Sequence, residues 1–298
     1  MNERFLLPDR FEGLYETIGD RDITKIIAPV DYGINTIQDV YEEIYSSGRG
    51  SFLILLGNSG SGKTTFLRTL DLFIENVEIL TISNEMDIRS EINKLTESKY
   101  ELRIVIIEGR ESILDMSNTE VTAAIHMINS FIRSPKGKKS LVVWPCNDKD
   151  IVDNLVETSR TVGGTALLGL KDTYFSFDGP DKTQFVNIAK QTVELLNNGK
   201  TLLDFGITDE IADNYVNGVS TIGEYLKLIN SEVRKNKNFV RNLKVKDHCK
   251  MWVIVLGQNE PSKDVEALTK GEFLDADVQR LLVSTEANLV QDLKKIPD

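Results

Sequence analysis

A glycine-rich segment between an apolar run and a helical pattern constrains this chain more than any other feature. The residues from Gly57 to Thr64, GNSGSGKT, match the phosphate-binding pattern G-x-x-x-x-G-K-[ST]. An apolar run from Phe52 to Leu56 precedes this segment, and apolar residues at helical spacing follow it. A strand, a glycine loop and a helix in this order predict a nucleotide-binding site.

Each residue type in the segment has a role in that prediction. Glycines allow backbone N–H groups to turn towards the β- and γ-phosphates at the start of a helix, where an anion is already favoured. Lys63 is predicted to reach the same phosphates, and the Thr64 hydroxyl is predicted to bind Mg²⁺. We therefore predict ATP and Mg²⁺ as ligands, with the phosphates held by Gly57, Asn58, Ser59, Gly60, Ser61, Gly62, Lys63, Thr64 and Thr65.

The composition limits the remaining classes of protein. The net charge of −11 argues against a protein that coats nucleic acid, because phosphate binding requires local Lys and Arg. The two cysteines and two histidines lack the spacing of metal ligands, which argues against a zinc site. No secretory signal and no run of membrane-spanning length occur. We expect a cytoplasmic protein with no membrane contact.

One local excess of positive charge departs from this acidic average. The stretch from Lys227 to Lys250 contains eight basic residues and only two acidic ones, Glu232 and Asp247. The stretch is either a solvated helix end or a contact for nucleic acid or an acidic partner. The basic residues are Lys227, Arg234, Lys235, Lys237, Arg241, Lys244, Lys246 and Lys250.

The alternation of strand and helix patterns predicts an α/β domain. Residues 1–34 are an irregular lead-in with one short helix near Phe11 to Ile18, and Asn35 is the predicted N-cap of the next helix. Across residues 35–178, strands alternate with helices, which predicts a parallel sheet flanked by helices on both faces. Within this domain we expect helices at 87–98, 119–133 and 149–160 and a last strand region at 166–168 and 173–177.

The chain changes character after this domain. Residues 179–238 contain only helical patterns, near 182–197, 209–216 and 221–235, and are predicted to form a small helical lid. Thr208 and Ser220 are the predicted N-caps of the second and third lid helices. Residues 239–298 form an extension of uncertain fold. Its candidates are a strand at 251–256 and helices at 276–283 and 287–295, in a short α/β segment after which the natural chain could continue.

An acidic residue is expected at the end of a strand beside the P-loop. The apolar run from Leu102 to Ile107 ends in Glu108, and an acid at the end of a buried strand needs a compensating partner such as Mg²⁺. We therefore predict Glu108 as a metal ligand. Glu111, three residues later, is an alternative catalytic base.

The order of elements resembles that of the AAA+ ATPases over about residues 35–236. The similarity is greatest to the origin-recognition and STAND-type branch, which has an all-helical lid. The resemblance implies that Lys63 and Thr64 belong to Walker A, that Glu108 occupies the Walker B position and that Asn147 is a polar sensor. It also implies that Arg160 is an arginine finger acting on a neighbouring subunit, in a homo-oligomer or with a partner protein. From the residues alone, Asn147 is equally well an N-cap and Arg160 an ordinary cation at a helix end.

Two positions depart from the pattern of that family. Gly109 follows Glu108 where the family usually has a second acid, so Glu108 serves alone or Glu111 supplies the base. No arginine occurs between Ser220 and Gly223, where the family often has one. Both departures favour a slow ATPase that acts as a switch over a fast motor.

Three functions are compatible with these residues. The first is an ATP hydrolase that switches or drives an assembly, in DNA-related processes or in bacterial defence. The second is a nucleotide-gated module that binds DNA or protein with negligible hydrolysis. The third, a small-molecule or nucleoside kinase, is less favoured because the lid contains few arginines.

Overall fold

A computed structural model describes most of the chain in side-chain detail. The described residues are 5–18, 23–111, 117–164, 167–168 and 173–245, with two short pairs at 269–270 and 275–276; the side chains of 239–245 and of the two pairs are not described. Residues 1–240 form one compact unit and residues 241–298 a second. Among the described helices, none is long and apolar enough to cross a membrane.

Two helices precede the sheet. Helix α1 spans Phe11–Ile18, as predicted, and helix α2 spans Asp31–Ser47. Helix α2 begins four residues before the predicted N-cap Asn35, so that prediction is wrong. Ile34 is buried in the core, and Gly33 lies so close to the Phe66 ring that a Cβ atom there would come within 2.8 Å of it. The apolar face of the helix therefore extends one turn earlier than the cap residue suggests.

Five parallel strands form the predicted sheet. Its order is β2-β3-β4-β1-β5, so the strand that leads into the P-loop lies between β4 and β5. Residues that alternate along the strands are buried on opposite faces, which explains why the strand sequences are almost continuously apolar. The strands are β1 Ser51–Leu56, β2 Val77–Ile82, β3 Leu102–Ile107, β4 Ser140–Cys146 and β5 Phe175–Ser176.

Four helices connect these strands: α3 Lys63–Arg68, α4 Ile88–Lys94, α5 Asn118–Arg133 and α6 Lys149–Gly163. Helix α4 is shorter than predicted because Leu95 has already left the helical region, with ψ 136°. The last strand region is also shorter than predicted, since Leu167 and Leu168 lie in a turn. Leu95, Leu167 and Leu168 all pack in the same core, so the apolar pattern continues past the residues whose backbone is helical or in the sheet.

The helical lid has the three predicted helices: α7 Phe185–Leu196, α8 Asp209–Asn217 and α9 Ile222–Val245. They enclose a separate core around Tyr225 and Ile229, to which Leu7 of the N-terminal segment also belongs. Thr208 caps α8 as predicted. Thr221, and not Ser220, caps α9, because its hydroxyl accepts a hydrogen bond from the N–H of Glu224 at 3.2 Å.

The second unit is described only in part. Thr269–Lys270 and Asp275–Ala276 pair as antiparallel strands β6 and β7. The strand predicted at 251–256 and the helix predicted at 287–295 lie outside the described residues. The helix predicted at 276–283 begins at Ala276, which belongs to β7, and its remainder also lies outside them.

Candidate nucleotide-binding site

The glycine-rich segment follows the carboxyl end of β1 and leads directly into α3. Gly60 and Gly62 have φ angles of +83° and +94°, a left-handed region that residues with a Cβ atom avoid. The loop therefore turns as a P-loop does, with α3 starting at Lys63. Its position between a buried parallel strand and a helix settles the fold. The chain has a P-loop NTPase fold.

Lys63 is buried at the centre of the site, with 5% of its surface exposed. Its Nζ donates hydrogen bonds to the carbonyls of Gly57 at 2.6 Å and Asn58 at 3.1 Å, and to Oδ1 of Asn147 at 2.6 Å. Burial lowers the pKa of Lys63, and the nearby Glu111 carboxylate opposes that shift. The ammonium group is thus held inside the loop by three oxygen acceptors.

Asn147 connects Lys63 to Glu111. Its Nδ2 donates to Oε2 of Glu111 at 3.1 Å, and its backbone N–H donates to the Glu111 carbonyl at 3.2 Å. The alternative role of Asn147 as a helix cap is not observed, because Asp148 is the N-cap of α6. Both ends of the Asn147 amide are therefore committed to charged groups of the site.

Glu111 is a half-buried residue whose carboxyl group has a perturbed pKa. Burial raises the pKa, Lys63 and the hydrogen bond from Asn147 lower it, and the charges of Glu108 and Glu12 raise it further. The net direction is upward from the ordinary value of 4.5. Glu12 belongs to α1, so the N-terminal segment contributes to the electrostatics of the site.

Glu108 lies directly after β3, as predicted, and forms an ion pair with Arg68 at the end of α3. Its second oxygen, Oε1, is buried and has no hydrogen-bond partner within the described part of the chain. A buried carboxylate oxygen without a donor is an unmet demand for a cation or a donor. The Ser61 hydroxyl, in the loop itself, is buried and unpartnered in the same sense.

Gly109 explains why a second acid does not follow Glu108. Its φ angle is +73°, and a Cβ atom at this position would lie 2.9 Å from Cβ of Asn84. An aspartate or glutamate would therefore be strained and would collide with the loop after β2. The departure from the family pattern seen in the sequence is a consequence of this tight turn.

These groups line one cavity of about 360 Å³. The polar end contains Glu108, Glu111 and Asn147 with the loop residues Ser59, Gly60, Gly62, Lys63, Thr64 and Thr65. Thr64 is half-buried in the first turn of α3. Hydroxyl and carboxylate oxygens, such as those of Thr64 and Glu108, are suitable ligands for Mg²⁺. The unpartnered Oε1 of Glu108 is available to bind such a cation.

Sequence reasoning missed the apolar end of the cavity. The N-terminal segment contributes Phe11 and Ile27, and the lid contributes Ile188, Ile222 and Leu226. The only signal in the sequence is the apolar run from Ile26 to Val30 in an otherwise irregular lead-in. Apolar walls beside a phosphate loop are suited to a flat aromatic ring such as a nucleotide base.

The lid reaches the P-loop through its third helix. The N–H of Gly223 donates to the Gly60 carbonyl at 2.9 Å, and a Cβ atom on Gly223 would lie 2.9 Å from the Gly60 Cα. Two backbones therefore meet without a side chain between them. This close approach leaves no space for an arginine, or any other side chain, at Gly223.

One predicted site residue, Arg160, and the basic stretch do not belong to this cavity as predicted contacts. Arg160 is exposed in the last turn of α6 and is not among the residues that line the cavity. The basic stretch of α9 is partly engaged within the chain: Lys227 pairs with Asp9 at 3.7 Å and Lys235 with Glu232 at 3.1 Å. Lys246 and Lys250 lie outside the described residues.

Similarity to known proteins is found among solved structures. No protein-family model matches the sequence, and no curated protein matches it. Among solved structures, Cdc6p from Pyrobaculum aerophilum is 11% identical with a TM-score of 0.48, over 73% of this chain and 64% of that protein. The ORC1 protein of Aeropyrum pernix, solved in complex with DNA, is 12% identical with a TM-score of 0.48, over 78% of this chain and 70% of that one.

A third similar structure is the ORC2 protein of Aeropyrum pernix in ADPNP–ADP complexes, which is 11% identical with a TM-score of 0.48, over 84% of this chain and 75% of that one. The chain thus spans less than two thirds of the length of the Pyrobaculum protein. The order of elements in the structure itself, from helix α2 through the parallel sheet to the three-helix lid, agrees with the order expected from the resemblance to AAA+ ATPases. The similarity is one of fold.

Proposed function

We propose that this protein binds ATP with Mg²⁺ in the cavity and hydrolyses it slowly. The observation that carries the proposal is the hydrogen-bonded chain from Lys63 through Asn147 to Glu111 at the mouth of the P-loop. In this chain a lysine ammonium, a neutral amide and a carboxyl group lie next to one another, which supports roles in phosphate binding and proton transfer. The apolar end of the same cavity supplies a surface for the base of the nucleotide.

In this proposal each residue has one task. The loop amides from Gly57 to Thr65 and the Lys63 ammonium hold the β- and γ-phosphates. Thr64 and Glu108 hold Mg²⁺, which when bound neutralises charge that develops on the phosphate oxygens. Asn147 holds the side chains of Lys63 and Glu111 in position by a hydrogen bond to each. These assignments rest on the residue types and on the contacts described above.

Glu111 is the proposed base for hydrolysis. A water molecule attacks the γ-phosphorus, the bond from that phosphorus to the β–γ bridging oxygen breaks, and Glu111 accepts the proton of the water. The products are ADP and inorganic phosphate. Because Gly109 replaces a second acid and Glu108 is paired with Arg68, we expect turnover to be slow.

Assembly is the second part of the proposal. Arg160 is exposed and does not line the cavity of its own chain, which suits a residue that completes the site of a neighbouring subunit. Such an arrangement makes hydrolysis depend on a homo-oligomer or on a partner protein. The direct contact between α9 and the P-loop supports a lid whose position responds to the nucleotide.

The test compares wild type with Lys63→Ala in ATP binding and phosphate release, alongside molar mass with and without ATP. We expect Lys63→Ala to lose turnover by orders of magnitude, and Arg160→Ala to lose the part of turnover that rises with protein concentration. Equal activity of Lys63→Ala and wild type would reject the proposal.

A nucleotide-gated binding module without hydrolysis is the second candidate. It is favoured by the Arg68–Glu108 ion pair and by the turn at Gly109, since both limit the acids available for chemistry. The exposed part of the basic stretch on α9 is the proposed contact for DNA or an acidic partner. Retention of ATP for hours without phosphate release would favour this candidate, and steady release would exclude it.

A further inference from the structure

The ion pair between Arg68 and Glu108 is only partly satisfied. The side chains are 28% and 14% exposed, and one Nη of Arg68 donates to Oε2 of Glu108. Within the described part of the chain, Nε of Arg68 and Oε1 of Glu108 are buried without partners. A partly buried pair that leaves a donor and an acceptor unmet gains little over its desolvation, so it can be broken at small cost.

Helix α1 also contacts Arg68. The guanidinium lies 5.5 Å from the centroid of the Phe11 ring, within the range of a cation–π contact. Phe11 is itself 6% exposed and stacks on Tyr15 at 5.8 Å. Arg68 therefore contacts both the carboxylate that follows β3 and an aromatic ring of the N-terminal segment.

The residues just before α1 are attached to the lid. We call residues 5–9 the strap. The backbone of Leu6 exchanges two hydrogen bonds with the Asn197 amide, at 2.9 and 2.8 Å, and the Leu7 carbonyl accepts one from Asn230 at 2.7 Å. Asp9 pairs with Lys227 of α9. A displacement of the lid therefore acts on the strap and on Arg10 and Phe11, the two residues that follow it.

We propose that Arg68 is a positioning residue that competes with Mg²⁺ for the Glu108 carboxylate, and that Phe11 and the strap set the strength of this competition. The inference rests on the proposed function, since it assumes that ATP and Mg²⁺ bind in the cavity. The lid, the strap, Phe11, Arg68 and Glu108 form an unbroken series of contacts. Through it the position of the lid controls the availability of the metal ligand.

The experiment measures the dissociation constant of a fluorescent ATP analogue, mant-ATP, with Mg²⁺ and with EDTA. The dissociation constant in EDTA divided by the dissociation constant with Mg²⁺ reports the metal contribution to binding. Changes that weaken nucleotide binding equally in both buffers leave this ratio unaltered. We expect Arg68→Met to increase this ratio by roughly three- to tenfold, the range for loss of a competing partly buried ion pair. Phe11→Leu keeps both charges and the apolar volume, and we expect a smaller change in the same direction.

Two controls separate positioning from general electrostatics. Arg10 lines the same cavity and carries the same charge, and the described contacts do not pair it with Glu108. Arg10→Met should therefore change the ratio by less than about twofold. In a Glu108→Gln background, Arg68→Met should have no effect on the ratio, because the group under competition is gone.

The possible results distinguish failure of this inference from failure of the proposed function. An unchanged ratio in Arg68→Met, an equal change in Arg10→Met, or a persistent change in the Glu108→Gln background overturns the inference but leaves the proposed function standing. Failure of wild type to bind mant-ATP overturns both. If Arg68→Met does not fold, as judged by thermal unfolding, Phe11→Leu decides, and an unchanged ratio in that variant overturns the inference.

Discussion

At the scale of single residues, Glu111 has the environment with the clearest consequences. Its carboxyl group is half-buried and accepts a hydrogen bond from Asn147, and Lys63 only partly offsets the desolvation. A carboxyl whose pKa is raised in the folded state is a stronger base once ionised. It is also a source of instability at high pH, because ionisation is easier in the unfolded chain.

This linkage predicts a pH-dependent effect of Glu111→Gln. Below the ordinary pKa of 4.5 the Glu111 carboxyl is protonated in both the folded and the unfolded chain. The stability that the protonated group contributes to the folded state is then fully present. As the pH rises through the elevated folded-state pKa, that contribution is lost. Glu111→Gln should therefore raise the melting temperature relative to wild type at pH 8 and leave it nearly unchanged at pH 4, as measured without nucleotide. A stabilising effect that is largest at pH 4 would contradict the raised pKa.

The two acids of the site should differ in kinetics. Glu108→Gln removes the proposed metal ligand, so we expect weaker Mg²⁺-dependent ATP binding together with loss of turnover. Glu111→Gln removes only the proposed base, so kcat should fall by about 10²–10⁴-fold while ATP affinity stays within a few-fold. Parallel binding and phosphate-release assays distinguish the two, and an ATP affinity lost equally in both variants would argue against separate roles.

At the scale of elements, the turn after β3 shows how one glycine limits the chemistry. Gly109 combines a left-handed φ angle with a close approach to Asn84, so the strand can leave the sheet only without a side chain there. Gly48 at the end of α2 is also left-handed, with φ +66°, but its nearest contact would be Cε of Lys138 at 3.6 Å. A side chain at Gly48 would therefore cause backbone strain alone, whereas a side chain at Gly109 would cause both backbone strain and a collision.

We predict that Gly109→Ala destabilises the protein more than Gly48→Ala. Each substitution should cost about 1–2 kcal/mol from the left-handed backbone, and Gly109→Ala should cost at least about 1 kcal/mol more from the collision. Urea unfolding of the two variants measures the difference. Equal losses of stability would mean that the loop carrying Asn84 moves aside freely.

The elements themselves were predictable to different degrees. Strands buried on both faces and helices with a long apolar face have strong patterns, and β1, β3, α1 and α5 agree with their predicted positions. The end of α4 and the start of β5 were misplaced, because Leu95, Leu167 and Leu168 pack in the core without belonging to the helix or the strand.

At the scale of the whole molecule, the strap joins the first described residues to the lid. Asn197, only 7% exposed, satisfies both backbone groups of Leu6. Contacts between residues 191 positions apart leave no local pattern in a sequence. For the same reason the apolar half of the cavity could not be predicted, whereas the P-loop half was readable from contiguous residues.

Asn197→Ala should therefore destabilise the molecule by about 1–3 kcal/mol, since it leaves the polar groups of Leu6 buried without partners. Limited proteolysis should also cut the N-terminal segment faster than in wild type. Asn214→Ala, on the exposed face of α8, is the matched control and should change neither property measurably. A stable strap in Asn197→Ala would show that Leu7 and Asn230 suffice to hold it.

Trp144 offers a practical way to observe this site. Its buried indole donates a hydrogen bond from Nε1 to the Arg110 carbonyl at 3.2 Å, immediately before Glu111, while its backbone lies three residues before Asn147. The chain contains one other tryptophan, Trp252, so Trp252→Phe leaves a single intrinsic fluorophore. Its emission spectrum would then report, without any attached dye, each rearrangement of the loop that carries Glu108 and Glu111.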